Sequence, residues 1–171
     1  MNKLYFSGFS LKNEKDIFEQ FIVNNNFTVN GFSYGAIKAF EYVINSDKRV
    51  DKLQLFSPAY FNDKDKKYKR MQLMFFKKDP ALYCDKFLNN SGFSTDMKNQ
   101  YFSMGTYQDL DQLLNYEWKK ENMEIITNRN IKLEVYIGEK DKIIDPQNTL
   151  EFFKNYGEVY FLKDAGHILS N

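Results

Sequence analysis

A serine set between two glycines is the first feature of this sequence that could perform chemistry. The run Gly31-Phe32-Ser33-Tyr34-Gly35 fits the pattern G-x-S-x-G and lies between a predicted strand and a predicted helix. A sharp turn from strand to helix strains the serine backbone, and side chains at the glycine positions would clash there. Such a turn presents the Ser33 hydroxyl at the end of the strand as a nucleophile. Taken alone, the pattern also fits a glycine-bounded turn with an idle serine.

A carboxylate and an imidazole follow two later strands. Asp141 comes directly after a predicted strand, and His167, the only histidine, comes after the last one. Because the carboxyl ends of parallel strands meet at one edge of a sheet, we expect both near Ser33, in the chain order Ser, Asp, His of the α/β-hydrolases. The spacing predicts a catalytic triad of Ser33, His167 and Asp141. Asp145 is a competing acid, but Pro146 after it marks a helix start that Asp145 would cap.

Two backbone amides are expected to form an oxyanion hole beside the serine. The N–H of Tyr34 lies at the start of the predicted helix, where the helix dipole favours negative charge. The second donor should come from the loop after the first strand, which reads Ser7-Gly8-Phe9, and the matching group is the N–H of Phe9. Many α/β-hydrolases carry His-Gly at that place. Since Ser7 replaces this histidine, His167 is the only imidazole available.

Composition excludes several other classes of function. The chain has 171 residues, 43% of them apolar, which suits a single domain with a sizeable core. Cys84 and His167 cannot supply the three or four ligands of the usual zinc or iron site, so we predict no metal and no cofactor. A net charge of +1 argues against a nucleic-acid partner. No apolar run suits a signal peptide or a membrane span, so we expect a cytoplasmic protein without a membrane partner.

Strands and helices alternate along the chain, which indicates a parallel sheet built from β-α-β units. No strand is convincing between about residues 59 and 130, where the pattern is mostly charged and helical. We predict one α/β domain over 1–171, a minimal α/β-hydrolase fold of about five mainly parallel strands. The segment 59–130 is predicted to be a helical lid inserted after the third strand. The predicted strands are 4–6, 27–32, 53–56, 131–137 and 159–162, and the predicted helices outside the lid are 13–23, capped by Asn13, 36–44 and 149–154.

Several predicted strands alternate between polar and apolar residues. In the third strand Lys52, Gln54 and Phe56 alternate with Leu53 and Leu55. Strands of a parallel sheet covered on both faces normally read as continuous apolar runs. The alternation therefore indicates either edge strands and strand ends or a sheet with one poorly covered face. In the second case another subunit or the insertion would shield that face, so a homodimer is possible.

The motifs together resemble a known family. The run Ser7-Gly8-Phe9, GFSYGAIKAFEYV from Gly31, YKRMQLMFFKKDP ending at Pro80, GEKDKIIDP from Gly138 and the final AGHILSN are similar to the short BioV-type pimeloyl-[acyl-carrier protein] methyl ester esterases of bacterial biotin synthesis. The resemblance runs from the first strand to the last residue. It implies a serine carboxylesterase that releases methanol from the far end of a pimeloyl chain held on an acyl carrier protein. Matched by motif, Ser33 is the nucleophile, His167 the acid and base, and Asp141 the orienting acid.

A basic segment begins the predicted lid. Acyl carrier proteins are acidic, so a basic lid could steer and dock one. A solvated helix face is the other interpretation of this charge. The interspersed Tyr68, Met71, Met74 and Phe75 are expected to pack down on the sheet, where they could line an acyl channel. The candidate carrier-binding residues are Lys64, Lys66, Lys67, Lys69, Arg70, Lys77 and Lys78.

Two other functions remain compatible with the sequence. A general serine esterase or thioesterase would share the triad without carrier specificity. A hydrolase-like domain without activity would serve as a binding or interaction module.

Overall fold

A computed structural model describes residues 4–171, and its centre is one parallel five-stranded sheet. The strands lie side by side in the order in which they occur along the chain, and each neighbouring pair is parallel. The predicted parallel α/β fold is thereby confirmed. The strands are β1 (Leu4–Phe6), β2 (Thr28–Phe32), β3 (Lys52–Phe56), β4 (Lys132–Gly138) and β5 (Glu158–Leu162).

Seven α-helices connect or follow the strands in the described part of the chain, and five of them stand between β3 and β4. Asp65 and Asp79 begin the first two helices of this insertion with side-chain caps. Within residues 4–171 no helix is long and apolar enough to cross a membrane. The helices are α1 (Tyr34–Asn45), α2 (Lys66–Lys78), α3 (Pro80–Ser91), α4 (Thr95–Tyr101), α5 (Tyr107–Asn115), α6 (Lys120–Asn128) and α7 (Pro146–Phe153).

One face of the sheet carries the main apolar core. Val29, Leu53 and Val135, from three neighbouring strands, are buried in one cluster with side chains of α1, α6 and α7. The connections from β2 to β3, from β3 to β4 and from β4 to β5 join neighbouring parallel strands in sequential order. Crossovers of the same hand between such strands place their helices on the same face, which explains why α1, α6 and α7 share one core. Phe40 of α1 and Phe153 of α7 are completely buried there.

The opposite face explains the alternating strands. Asn30, Gln54 and Glu134 lie in register across β2, β3 and β4 and form a buried polar row. The segment after β1 covers this row, because the Gln54 amide donates to the Phe21 carbonyl and accepts from the Val23 N–H, at 2.8 and 2.9 Å. The alternation therefore does not mark edge strands, since β3 is the central strand.

The cover of this second face becomes thin toward β5. The row above the polar one is aromatic, with Phe56 stacked on Phe18 and Tyr136 stacked on Tyr160. Phe56 is completely buried, whereas Tyr160 is 40% exposed. The face is thus closed over the central strands by this chain's own residues and open at the β5 edge.

The predicted α-helix over 13–23 is wrong. A 3-10 helix covers Glu14–Phe18, and turns follow it. Asn13 has a left-handed backbone (φ 59°) and makes no side-chain cap. Tertiary contacts override the helical periodicity, because Phe18 must lie flat on Phe56 and the Phe21 carbonyl must turn toward Gln54.

The predicted packing of α2 is wrong for Met71, Met74 and Phe75, whereas Tyr68 is half-buried and packs against the main core. Leu73 and Phe76 are the buried residues of this helix, whereas Met71, Met74 and Phe75 are 41%, 64% and 52% exposed. The insertion explains the difference, since α2 packs mainly against α3 and α5. Apolar side chains therefore remain on the solvent side of α2, next to its basic residues.

Glu134 provides a test of the polar row. Burial acts to raise the pKa of its carboxyl, but hydrogen bonds from Lys52 and Gln54 outweigh burial and hold that pKa below its usual range. A depressed pKa stabilises the fold above the unfolded value of about 4.5, and the stabilisation is lost as the pH falls through the folded pKa. We expect Glu134→Gln to lower the free energy of unfolding by about 1–2 kcal/mol at pH 7. The difference from wild type should shrink below about pH 4.5 in urea titrations.

Glu158→Gln is the matched control for this prediction. Glu158 lies opposite Glu134 in the sheet register but is exposed at the edge. Its substitution should leave the free energy of unfolding nearly unchanged. Equal effects of the two variants, or a Glu134→Gln difference that persists at low pH, would contradict the assigned role of the Glu134 carboxylate.

Candidate active site

Ser33 occupies the turn between β2 and α1. Its backbone is strained, with φ 54° and ψ −114°, and its N–H donates to the Phe56 carbonyl at 2.9 Å. The neighbouring glycines are required by close backbone approaches. A Cβ at position 31 would lie 2.2 Å from the Gly35 carbonyl oxygen, and one at position 35 would lie 1.9 Å from the Phe6 oxygen. The sequence pattern around Ser33 thus has a steric cause at both glycines.

Ser33, His167 and Asp141 meet at the carboxyl edge of the sheet. The Ser33 hydroxyl lies 2.9 Å from His167 Nε2, and His167 Nδ1 lies 2.6 Å from Asp141 Oδ2. Ser33 and His167 are each 1% exposed, and Asp141 is buried as well. This arrangement can remove a proton from the hydroxyl while the carboxylate stabilises the imidazolium that forms.

Hydrogen bonds from neighbouring groups hold Asp141 and the backbone of His167 in place. The second carboxylate oxygen of Asp141 accepts from the N–H groups of Ile143 and Ile144, at 2.7 and 3.1 Å. The Ser57 hydroxyl donates to the His167 carbonyl at 2.6 Å. Asp145 lies outside this arrangement and caps α7, accepting from the Asn148 N–H at 2.8 Å.

Two backbone amides at this edge of the sheet are unused by the protein, and Phe9 and Tyr34, which carry them, line one cavity. Across the hydrogen bonds of residues 4–171, neither the Phe9 N–H nor the Tyr34 N–H has a protein acceptor. The Phe9 ring is buried and packs edge-on against Phe87, with ring centroids 5.3 Å apart. These are the two amides that the sequence selects as oxyanion donors, and their free hydrogens can receive a developing negative charge.

The Ser7-Gly8-Phe9 loop is held from two sides. Glu14 accepts from the Gly8 N–H, and sequence reasoning missed this residue because it reads as an exposed acid in the first turn of a helix. On the other side, the linker between α4 and α5 runs along the loop. The N–H groups of Ser103 and Gly105 donate to the Ser10 carbonyl and hydroxyl, at 3.0 and 3.1 Å.

A cavity of about 170 Å³ lies between the insertion and the sheet edge. Phe87 connects it to Phe9, and Ile143 connects it to the loop that holds Asp141. Burial raises the pKa of the Tyr83 hydroxyl at this cavity, and that hydroxyl donates to Gln72. The lining residues are Phe61, Tyr68, Gln72, Tyr83, Phe87, Asn90, Leu114, Lys142 and Ile143.

The candidate carrier-binding residues lie on α2 and just before it. Lys66, Lys67, Arg70, Lys77 and Lys78 are exposed, while Lys64 and Lys69 are half-buried. Two of them already have partners. Lys64 lies 3.5 Å from Asp63, and the Lys77 ammonium lies 4.6 Å above the Tyr107 ring. Within the described chain, no three His, Cys, Asp or Glu side chains are grouped to hold a metal ion.

Comparisons with known proteins define the fold more closely. No protein-family model and no curated protein matches the chain. Solved structures do match, and they include the esterase EaEST of Exiguobacterium antarcticum, with 18% identity and a TM-score of 0.66 over 90% of this chain and 63% of that one. BioG of Haemophilus influenzae matches with 16% identity and a TM-score of 0.59 over 96% of this chain and 87% of that one. MenH of S. aureus matches with 12% identity and a TM-score of 0.61 over 98% of this chain and 88% of that one.

These likenesses show the α/β-hydrolase fold. The chain spans less than two thirds of the length of the Exiguobacterium esterase. It spans most of the length of BioG and MenH.

A substitution at Gly138 tests whether the position of the loop that carries His167 determines the reactivity of Ser33. A Cβ there would lie 2.2 Å from the Gly166 oxygen, next to His167. We expect Gly138→Ala to move His167 away from Ser33 and to slow fluorophosphonate labelling of Ser33 by about tenfold or more. In Gly166→Ala the nearest atom would be 3.9 Å from the new Cβ, so this control should label nearly as wild type. Equal labelling rates of both folded variants would contradict the prediction.

Proposed function

We propose that this protein is a serine carboxylesterase. The observation that carries the proposal is the chain of hydrogen bonds from Ser33 through His167 to Asp141, together with the two amides of Phe9 and Tyr34 that have no protein acceptor. Serine enzymes that catalyse acyl transfer use an activated serine, a base, an orienting carboxylate and an oxyanion hole. The solved structures of esterases with this fold are consistent with that chemistry.

Each residue then has a defined role in the reaction. His167 takes the Ser33 proton as the hydroxyl attacks the ester carbonyl, and the amides of Phe9 and Tyr34 stabilise the oxyanion. His167 passes its proton to the leaving alcohol, which leaves an acyl-enzyme on Ser33. Water, deprotonated by the same imidazole, hydrolyses the acyl-enzyme. Loss of one oxyanion donor typically lowers kcat by about 100- to 1,000-fold.

The proposed substrate is the methyl ester of a pimeloyl chain on an acyl carrier protein. The resemblance of the motifs to BioV-type esterases is the first support. The cavity between the insertion and the sheet edge is small, about 170 Å³, which suits a narrow unbranched chain. Its lining combines four aromatic residues with the polar side chains of Gln72, Asn90 and Lys142. The solvent side of α2 offers basic Lys67 and Arg70 beside apolar Met71 and Met74, a surface that suits an acidic protein partner.

Active-site titration and mass spectrometry test the two levels of this proposal. A fluorophosphonate should label wild type with one equivalent and leave Ser33→Ala unlabelled, because only an activated serine reacts. Incubation with methyl-pimeloyl carrier protein should then remove about 14 Da, the difference between a methyl ester and its acid. An unlabelled, folded wild type would indicate a binding module without activity. Labelling and hydrolysis of small aryl esters without the mass loss would indicate a general esterase.

Charge reversal on α2 tests carrier docking separately. We expect combined substitution of Lys67, Arg70 and Lys77 by Glu to raise KM for the carrier-linked ester about tenfold or more, because electrostatic attraction speeds encounter. Hydrolysis of a small soluble ester should be unaffected.

The control reverses three exposed lysines elsewhere, Lys48, Lys120 and Lys154, for the same change in net charge. It should leave both substrates nearly unaffected. Similar losses on the two substrates in the α2 variant would mean that this segment has only a structural role.

A further inference from the structure

Glu14 is a completely buried carboxylate below the loop that supplies the Phe9 amide. Its Oε1 accepts from the Gly8 N–H at 2.8 Å and from the Tyr5 hydroxyl at 3.1 Å. We propose that Glu14 is a positioning residue, which holds the Ser7-Gly8-Phe9 loop so that the Phe9 N–H faces the oxyanion. The inference rests on the proposed hydrolase function.

The peptide bond between Gly8 and Phe9 carries the argument. In a trans peptide the C=O and the N–H point in opposite directions. The Gly8 carbonyl accepts from the Leu11 N–H at 3.2 Å, so the Phe9 N–H points away from that bond, and it has no protein acceptor. Glu14 fixes the other side of Gly8 through its N–H. With both groups of Gly8 held, the peptide that carries the Phe9 N–H has one orientation.

The energetic cost of Glu14 favours a role beyond packing. A buried carboxylate without full hydrogen bonding is destabilising, and Glu14 Oε2 has no hydrogen-bond partner among the described residues. Burial and the nearby Glu14 carboxylate both raise the pKa of the Tyr5 hydroxyl, which leaves Tyr5 as a neutral donor. An apolar side chain would fill the same space without this cost, but it could not accept from Gly8.

The neighbouring contacts show that Glu14, and not Tyr5, accepts the hydrogen bond from the Gly8 N–H. Tyr5 also bonds Glu14 Oε1, but it does not contact the Gly8 amide through a hydrogen bond. Removal of the Tyr5 hydroxyl therefore leaves the bond to Gly8 in place. If Glu14 only filled space, Glu14→Met, which fills a similar volume, would keep kcat near that of wild type.

Three variants separate these roles, with kcat and KM measured on a small aryl ester. Glu14→Met has a similar length but no acceptor, and it should lower kcat by about 10- to 100-fold with little change in KM, as expected for a partly misplaced oxyanion donor. Glu14→Gln keeps an acceptor and should remain within about threefold of wild type. Tyr5→Phe should also keep kcat within about threefold while lowering the melting temperature.

The opposite outcomes are equally specific. A folded Glu14→Met variant with wild-type kcat, or a Tyr5→Phe variant as impaired as Glu14→Met, would overturn the positioning role. If Glu14→Met does not fold, deuterium exchange of the Gly8 amide in wild type decides. Protection of about 100-fold or more supports the bond to Glu14, and exchange at the unfolded rate overturns it. If wild type is not labelled by a fluorophosphonate, the proposed function itself fails, and this inference fails with it.

Discussion

The close approach of three backbone segments at Ser33 is the constraint on which the rest of the structure depends. The chain can turn from β2 into α1 because Gly31 lets the Gly35 carbonyl approach, and α1 can approach β1 because Gly35 lies against the Phe6 carbonyl. The same contact places the loop after β1 beside the first amide of α1. The strained serine and the two amides near it are therefore consequences of one packing arrangement, and a methyl group at either glycine would disturb all of them.

The parts of the fold that could be predicted from the sequence are those with a local cause. Glycine spacing required the turn at Ser33, and short apolar runs ended by glycine or proline marked the strands. The chain order of Ser33, Asp141 and His167 then placed three side chains on one edge, because parallel strands end there. The geometry between these side chains agrees with that expectation, although their roles in a reaction stay proposals.

The parts that could not be predicted depend on contacts between distant segments. The helical periodicity of residues 13–23 gave no sign that Phe18 would lie flat on Phe56. On α2 two apolar stripes compete, and only the positions of α3 and α5 decide that Leu73 is buried and Met74 exposed. Glu14 was missed for the same reason, since its carboxylate accepts a hydrogen bond from the Gly8 amide and not from a residue next to it in the sequence.

The linker between α4 and α5 connects the insertion to the loop after β1. It shares hydrogen bonds with Ser10, one residue after the Phe9 amide, and its Gly105 lies against the Phe9 ring. The loop that carries one of the two proposed oxyanion donors is therefore held by the insertion as well as by Glu14. Under the proposed function, a ligand that binds the insertion and shifts this linker would also shift the Phe9 amide, and such a coupling would be reciprocal.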